Sequence, residues 1–211
     1  MKKMLAIQIS LLIVFAGSLG GLLVYTDVYS DIKSVIVDTT CLSCIKMDPV
    51  SKIDFDPSYD NPDFVLDNLT KGPIFLAYRA DVCTACDSME PVLKDIFNVE
   101  FGKFELFYKT IDYRGHDIVF YHINKDPQDP PYDEEANSFF TYDKDNRDAV
   151  PMFVMITLGN NSGLVQPYYS TAYGTLQLDN NKDREDYFDK MIMKGIELYN
   201  ANIDDYREAV D

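Results

Sequence analysis

Two pairs of cysteines share one spacing in this chain, Cys41-Leu42-Ser43-Cys44 and Cys83-Thr84-Ala85-Cys86. The second pair directly follows a short apolar run, Ile74 to Tyr78, that suits a buried strand. It opens a stretch in which Met89, Val92, Leu93, Ile96 and Phe97 recur at three-and-four spacing, which predicts an amphipathic helix from Cys83 to Phe101. Two cysteines on a first helical turn can close a small disulfide ring, or present one exposed sulfur over one buried sulfur. Unpaired backbone N–H groups and the positive end of the helix dipole favour a thiolate at Cys83. Such placement brings a cysteine pKa from about 8.5 to about 3.5–7.5, and the thiolate is the nucleophile of disulfide exchange. The competing reading is an inert structural bond. A ring this small gives little chain-entropy stabilisation, which favours redox chemistry over a purely structural role.

Cys41 and Cys44 have no strand before them and no clear helix after them. Three roles fit: a second redox pair exchanging with Cys83–Cys86, a local structural disulfide, or half of a four-cysteine zinc site. Two such knuckles are a usual zinc ligand set, though both pairs must then be reduced. A redox-active disulfide needs no other cofactor, and zinc is the weaker alternative. Neither histidine, His116 or His122, is expected to be a ligand; a core or surface role is expected for His122. Asn68-Leu69-Thr70 and Asn160-Asn161-Ser162 match the glycosylation pattern, with Asn160 in a predicted turn the better candidate. Tyr168, Tyr169 and Tyr173 are read as sheet packing.

The elements that must position the dithiol are legible in outline. Asn61 followed by Pro62 predicts a helix start, with Phe64, Val65 and Leu69 as its apolar face and Gly72 at its end. Pro91 falls inside the helix that Cys83 opens and is expected to kink it. Strands are predicted over Phe104 to Ile111, Met152 to Leu158 and Leu164 to Tyr173, the last two joined by a turn at Gly159 to Gly163. Residues 112–148 hold an apolar run, Ile118 to Ile123, a patch with Pro127, Pro130 and Pro131, and a possible helix around Glu134 to Tyr142. A last helix is predicted from about Asp183 to Tyr199. Helices and strands mixed in this order predict an α/β sandwich.

Strand, CxxC, a helix with Pro91 five residues after the second cysteine, and Val150-Pro151 opening a later strand together resemble the thioredoxin family. The resemblance covers roughly Asp63 to Asn200. It implies a three-layer α/β sandwich with a central mixed sheet, Cys83 as the attacking thiol, Cys86 as the resolving thiol, and Pro151 as a cis proline facing the dithiol. The chain departs from the family at several points. Val82 stands where thioredoxins usually carry Trp, and Ala77 where many have a buried acid that takes the resolving thiol's proton. The stretch between Cys86 and Pro151 is longer than in small thioredoxins, which puts an insertion around 112–148. Asp81, Asp87 and Glu90 are expected to oppose thiolate formation at Cys83.

The rest of the chain bears on location. Lys2 and Lys3 precede a run from Met4 to Tyr25 in which Gln8, Ser10 and Ser18 are the strongly polar side chains. About 20 helical residues cross a bilayer core. Flanking charge predicts a cytoplasmic N-terminus and an extracytoplasmic domain, as a single-pass cell-membrane protein. A cleaved signal sequence, with Ala16-Gly17-Ser18 as the small residues, is the alternative. The organisation expected is an anchor or signal over 1–26, a stalk over 27–60 that carries Cys41 and Cys44, and a thioredoxin-like domain over 61–211. A formal net charge of -16 repels phosphate backbones, which argues against nucleic-acid partners. Expected partners are cysteine-containing proteins or a membrane electron donor or acceptor. The function expected is thiol–disulfide exchange with exported proteins or a redox partner; the alternatives are a non-catalytic accessory domain of a membrane complex and a zinc-stabilised domain.

Overall fold

A computed structural model describes residues 52–126, 132–178 and 180–210, all within one compact unit, Met47–Asp211. The expected anchor, Cys41, Cys44 and the proline patch at 127–131 lie outside the described residues. Among the described residues no helix is long and apolar enough to cross a membrane. The elements in chain order are β1 (Asp56–Pro57), α1 (Asp63–Leu69), β2 (Ile74–Arg79), α2 (Thr84–Phe97), β3 (Phe107–Tyr113), β4 (His116–Asn124), α3 (Asp133–Tyr142), β5 (Met152–Asn161), β6 (Leu164–Tyr173) and α4 (Asn181–Val210).

The six strands form one mixed sheet in the order β1-β6-β5-β2-β4-β3. β2 runs parallel to β4 and antiparallel to β5, so it is covered on both edges. All six of its residues are buried, as expected of a central strand with both faces packed. The two-residue period of a strand divides its side chains between two cores. Phe75 and Ala77 join Met89, Val92, Leu93 and Phe97 of α2 and Phe188, Met191 and Ile192 of α4. Ile74, Leu76 and Tyr78 join Phe64, Val65 and Leu69 of α1 and Phe139 and Tyr142 of α3. Helices therefore cover both faces of the sheet. This is the mixed α/β architecture expected.

Several local expectations shift. α1 starts at Asp63 with Pro62 as its cap residue and no side-chain cap bond. Asn61 is occupied elsewhere: its Nδ2 donates to the Ser58 carbonyl at 3.3 Å and its Oδ1 accepts from Tyr142 Oη at 3.1 Å. The free amide at the helix start, Asp63 N–H, donates instead to Glu134 of α3 at 2.8 Å. α1 ends at Leu69, before Gly72, and that glycine has another role. A Cβ there would lie 2.3 Å from the backbone oxygen of Asp117, so β4 can approach only a residue without a side chain. α2 stops at Phe97, where Asn98 takes a left-handed conformation (φ 49°), and Pro91 lies inside it.

The apolar run Ile118–Ile123 proves to be the core of β4. It is reached from β3 by a two-residue turn, Arg114 (φ 55°) and Gly115 (φ 84°), closed by Gly115 N–H donating to Asp112 at 3.0 Å. The β5–β6 turn is built alike on Ser162 (φ 56°) and Gly163 (φ 94°), the positive φ values that match the twist of a tight hairpin. α4 continues past Tyr199 to Val210. Its C-terminal half docks on the end of α1: Tyr199 Oη donates to the Leu69 carbonyl at 2.7 Å, and Arg207, in the added turns, to the Thr70 carbonyl at 3.0 Å.

Candidate functional site

β2 ends in Arg79, a short loop follows, and α2 begins immediately after Cys83. Cys83 is the N-cap of α2, with extended backbone (φ -145°, ψ 92°). Its Sγ accepts the N–H of Cys86 at 3.1 Å. A sulfur thus occupies the capping position that a Ser or Asp oxygen usually fills. The two cysteines are joined in a disulfide with Cα atoms 5.2 Å apart. Cys83 is half-buried, and Val82 beside it is 92% exposed, whereas Cys86 is 2% exposed. One end of the bond is therefore reachable from solvent and the other faces the core.

The loop before α2 is pinned from β4. Asn124 Nδ2 donates to Asp81 at 2.6 Å, and Asp81 N–H donates to Asp126 at 2.7 Å. On the other side the Val150–Pro151 peptide is cis, and Pro151 is buried. The turn leading to it is built around the buried carboxylate of Asp143, which accepts Arg147 N–H at 3.0 Å, Asp148 N–H at 2.7 Å and Tyr173 Oη–H at 2.7 Å. Pro151 and Cys86 line one small cavity of about 10 Å³, together with Arg79, Glu90, His122 and Phe153. Cys83, Cys86 and Pro151 are thus gathered in one region.

Behind the disulfide lies a charged cluster that the sequence reading missed. Arg79 is 1% exposed. Its guanidinium pairs with Glu90 and, at 3.4 Å, with Asp87, both on α2; the Phe104 ring lies 5.3 Å from it. Asp87 also meets Lys103 at 2.8 Å. That lysine, with Arg79 behind it, lowers the Asp87 pKa. Two of the three acids expected to repel a thiolate are therefore already matched by buried or bridging cations. His122 of β4 stands next to Ala77 in the β2–β4 register, with Nε2 3.7 Å from Glu90. Burial first, then Arg79 and Lys94, push its pKa down to about 3, so the ring is neutral at ordinary pH. Ala77 leaves the cavity without the expected acid at its own position; Glu90 and His122 bring titratable groups from the helix and the neighbouring strand. One signal was available in the sequence: Glu90 is four residues after Cys86, hence on the same helical face.

Asn68 lies within α1, and its Nδ2 donates to the Phe64 carbonyl at 2.7 Å and to Tyr121 Oη at 3.0 Å, so the nitrogen a glycan would need is engaged. Asn160 is exposed at the end of β5, where its Oδ1 accepts Gly163 N–H at 2.8 Å. Tyr169 packs against Tyr142 at 5.4 Å between ring centres. Among the described residues no group of three or more His, Cys, Asp or Glu could hold a metal ion.

A mixed sheet with a disulfide at this strand–helix junction is compatible with a thioredoxin-like fold. No family model matches the chain, and no curated protein matches it.

Proposed function

We propose that this chain is a thiol–disulfide oxidoreductase with a thioredoxin-like domain, tethered through its N-terminal segment and acting outside the cytoplasmic membrane. The observation that carries the redox reading is the contrast between the two sulfurs. Cys83 sits at a helix N-cap, half-exposed, with a backbone N–H already aimed at its sulfur; Cys86 is buried one turn on. That N–H and the helix dipole stabilise a thiolate at Cys83, and with it the reduced form. In exchange, the Cys83 thiolate attacks a partner disulfide, and the partner's far sulfur leaves with the electron pair of the broken bond. Cys86 then displaces the remaining partner sulfur and closes the Cys83–Cys86 bond. The net result is a reduced partner and an oxidised domain, and the reverse sequence oxidises a partner dithiol. The tether rests on Lys2, Lys3 and the apolar run Met4–Tyr25.

The test is a Cys86→Ser variant, which removes the resolving sulfur and leaves the first step. It is expected to accumulate mixed disulfides through Cys83 with cysteine-containing partners, visible as thiol-sensitive adducts on non-reducing gels. A variant that traps nothing, from a parent that neither oxidises a model dithiol nor reduces a model disulfide, would favour a non-catalytic accessory domain.

A further inference from the structure

His122 Nδ1 is buried and has no hydrogen-bond partner among the described residues. The residue is 2% exposed, and its ring lies 4.3 Å from that of Phe101. A buried ring nitrogen left unpaired is unfavourable, and one beside a dithiol is placed to take part in its chemistry. His122 lines the same small cavity as Cys86. Its other nitrogen, Nε2, faces the Glu90 carboxylate at 3.7 Å. A neutral imidazole has one donor and one acceptor nitrogen. With the N–H turned toward the carboxylate, Nδ1 becomes the acceptor.

We propose that His122, oriented by Glu90, exchanges the proton of the Cys86 thiol as the dithiol closes and opens. This inference rests on the redox reading given above. In the mixed disulfide of Cys83 with a partner thiol, the Cys86 S–H gives its proton to His122 Nδ1. The sulfur electron pair forms the Cys86–Cys83 bond, and the bond from Cys83 to the partner sulfur breaks. The partner leaves as a thiolate with both electrons of that bond and takes a proton from water; His122 returns its proton to water. Opening of the disulfide by a thiolate partner runs the same steps backwards.

The charges around the ring suit a transfer rather than a stored proton. Glu90 of α2 favours the imidazolium, while Arg79 at the end of β2 and Lys94 of α2 oppose it. Negative charge forming on Cys86 tips that balance only during the step.

The experiment uses the full chain with Cys41→Ser and Cys44→Ser, so that only one dithiol reacts. The reduced protein is mixed with glutathione disulfide, quenched in acid at intervals and weighed. Formation of the glutathione adduct reports the Cys83 step, and its loss on closure reports the Cys86 step. His122→Phe is expected to leave adduct formation unchanged and to slow closure at pH 7 at least about tenfold, the lower range of acid–base contributions. Glu90→Gln is expected to slow closure as well. If His122→Phe does not fold, His122→Gln keeps polar atoms at the position without the base and carries the same expectation. Closure in the His122 variants as fast as in the parent overturns the proposal while leaving the redox reading intact. A parent that never forms the adduct overturns both.

Discussion

The guanidinium of Arg79, at the end of the central strand, is buried against the carboxylate of Glu90, one turn beyond Cys86 on the helix that the disulfide opens. This pair ties the last residue of β2 to α2 beneath the disulfide. It sets a charged floor under what would otherwise be an apolar pocket.

Removing one member of such a pair leaves the other buried and uncompensated, which costs about 3–5 kcal/mol. Arg79→Met is therefore expected to lose stability on that scale in urea unfolding of the oxidised protein. Arg79→Met combined with Glu90→Leu should recover much of the loss, because neither charge is then stranded. A single variant as stable as the parent would show that the pair contributes little.

Acid sensitivity should report His122. Its pKa is held at about 3 in the folded chain against an ordinary 6.5, mainly by burial. Between those values the unfolded chain binds a proton that the native one does not, so stability falls as pH is lowered from about 6.5 toward 3. His122→Phe is expected to flatten that limb by up to about 1.4 kcal/mol per pH unit. Parallel stability curves for parent and variant would contradict it.

The turn before Pro151 depends on a single carboxylate. Asp143→Ala removes the acceptor of the Arg147 and Asp148 amides and of the Tyr173 hydroxyl, and a lost hydrogen bond costs about 0.5–1.5 kcal/mol. The variant should lose stability, and the Arg147 and Asp148 amides should exchange hydrogen faster. Unchanged exchange at both would remove the carboxylate from the account of this turn.

Much of this architecture could be read from the sequence, and the failures have physical causes. β2, β5, β6 and the dithiol helix were legible because their apolar periods are clean and their ends are marked. The β3–β4 turn was not, because Arg114 takes a left-handed conformation that its residue type does not advertise. α4 outran its prediction because beyond Tyr199 its packing rests on Asn202, Ile203 and Tyr206 among charged residues, a weaker stripe. At the site, the cysteine spacing and Val150-Pro151 were visible in one dimension. The Arg79–Glu90–His122 cluster was not, because strand pairing between β2 and β4 brings His122 beside Ala77. No local pattern encodes that register.

Gly72→Ala tests how closely the chain entering β2 packs against β4. The added methyl would meet the Asp117 carbonyl oxygen, which cannot rotate away as a side chain would. A loss of about 1–3 kcal/mol is expected, the range for overpacking, read as a lower melting temperature. A parent-like melting temperature would mean that the backbone yields.

The reduction potential of the Cys83–Cys86 couple, taken against a glutathione or dithiothreitol buffer, separates an exchanging dithiol from an inert structural bond. A helix N-cap that stabilises the reduced sulfur predicts a value in the range of exchanging dithiols, about -270 to -120 mV. A potential below about -300 mV, where structural disulfides of secreted proteins lie, would contradict it.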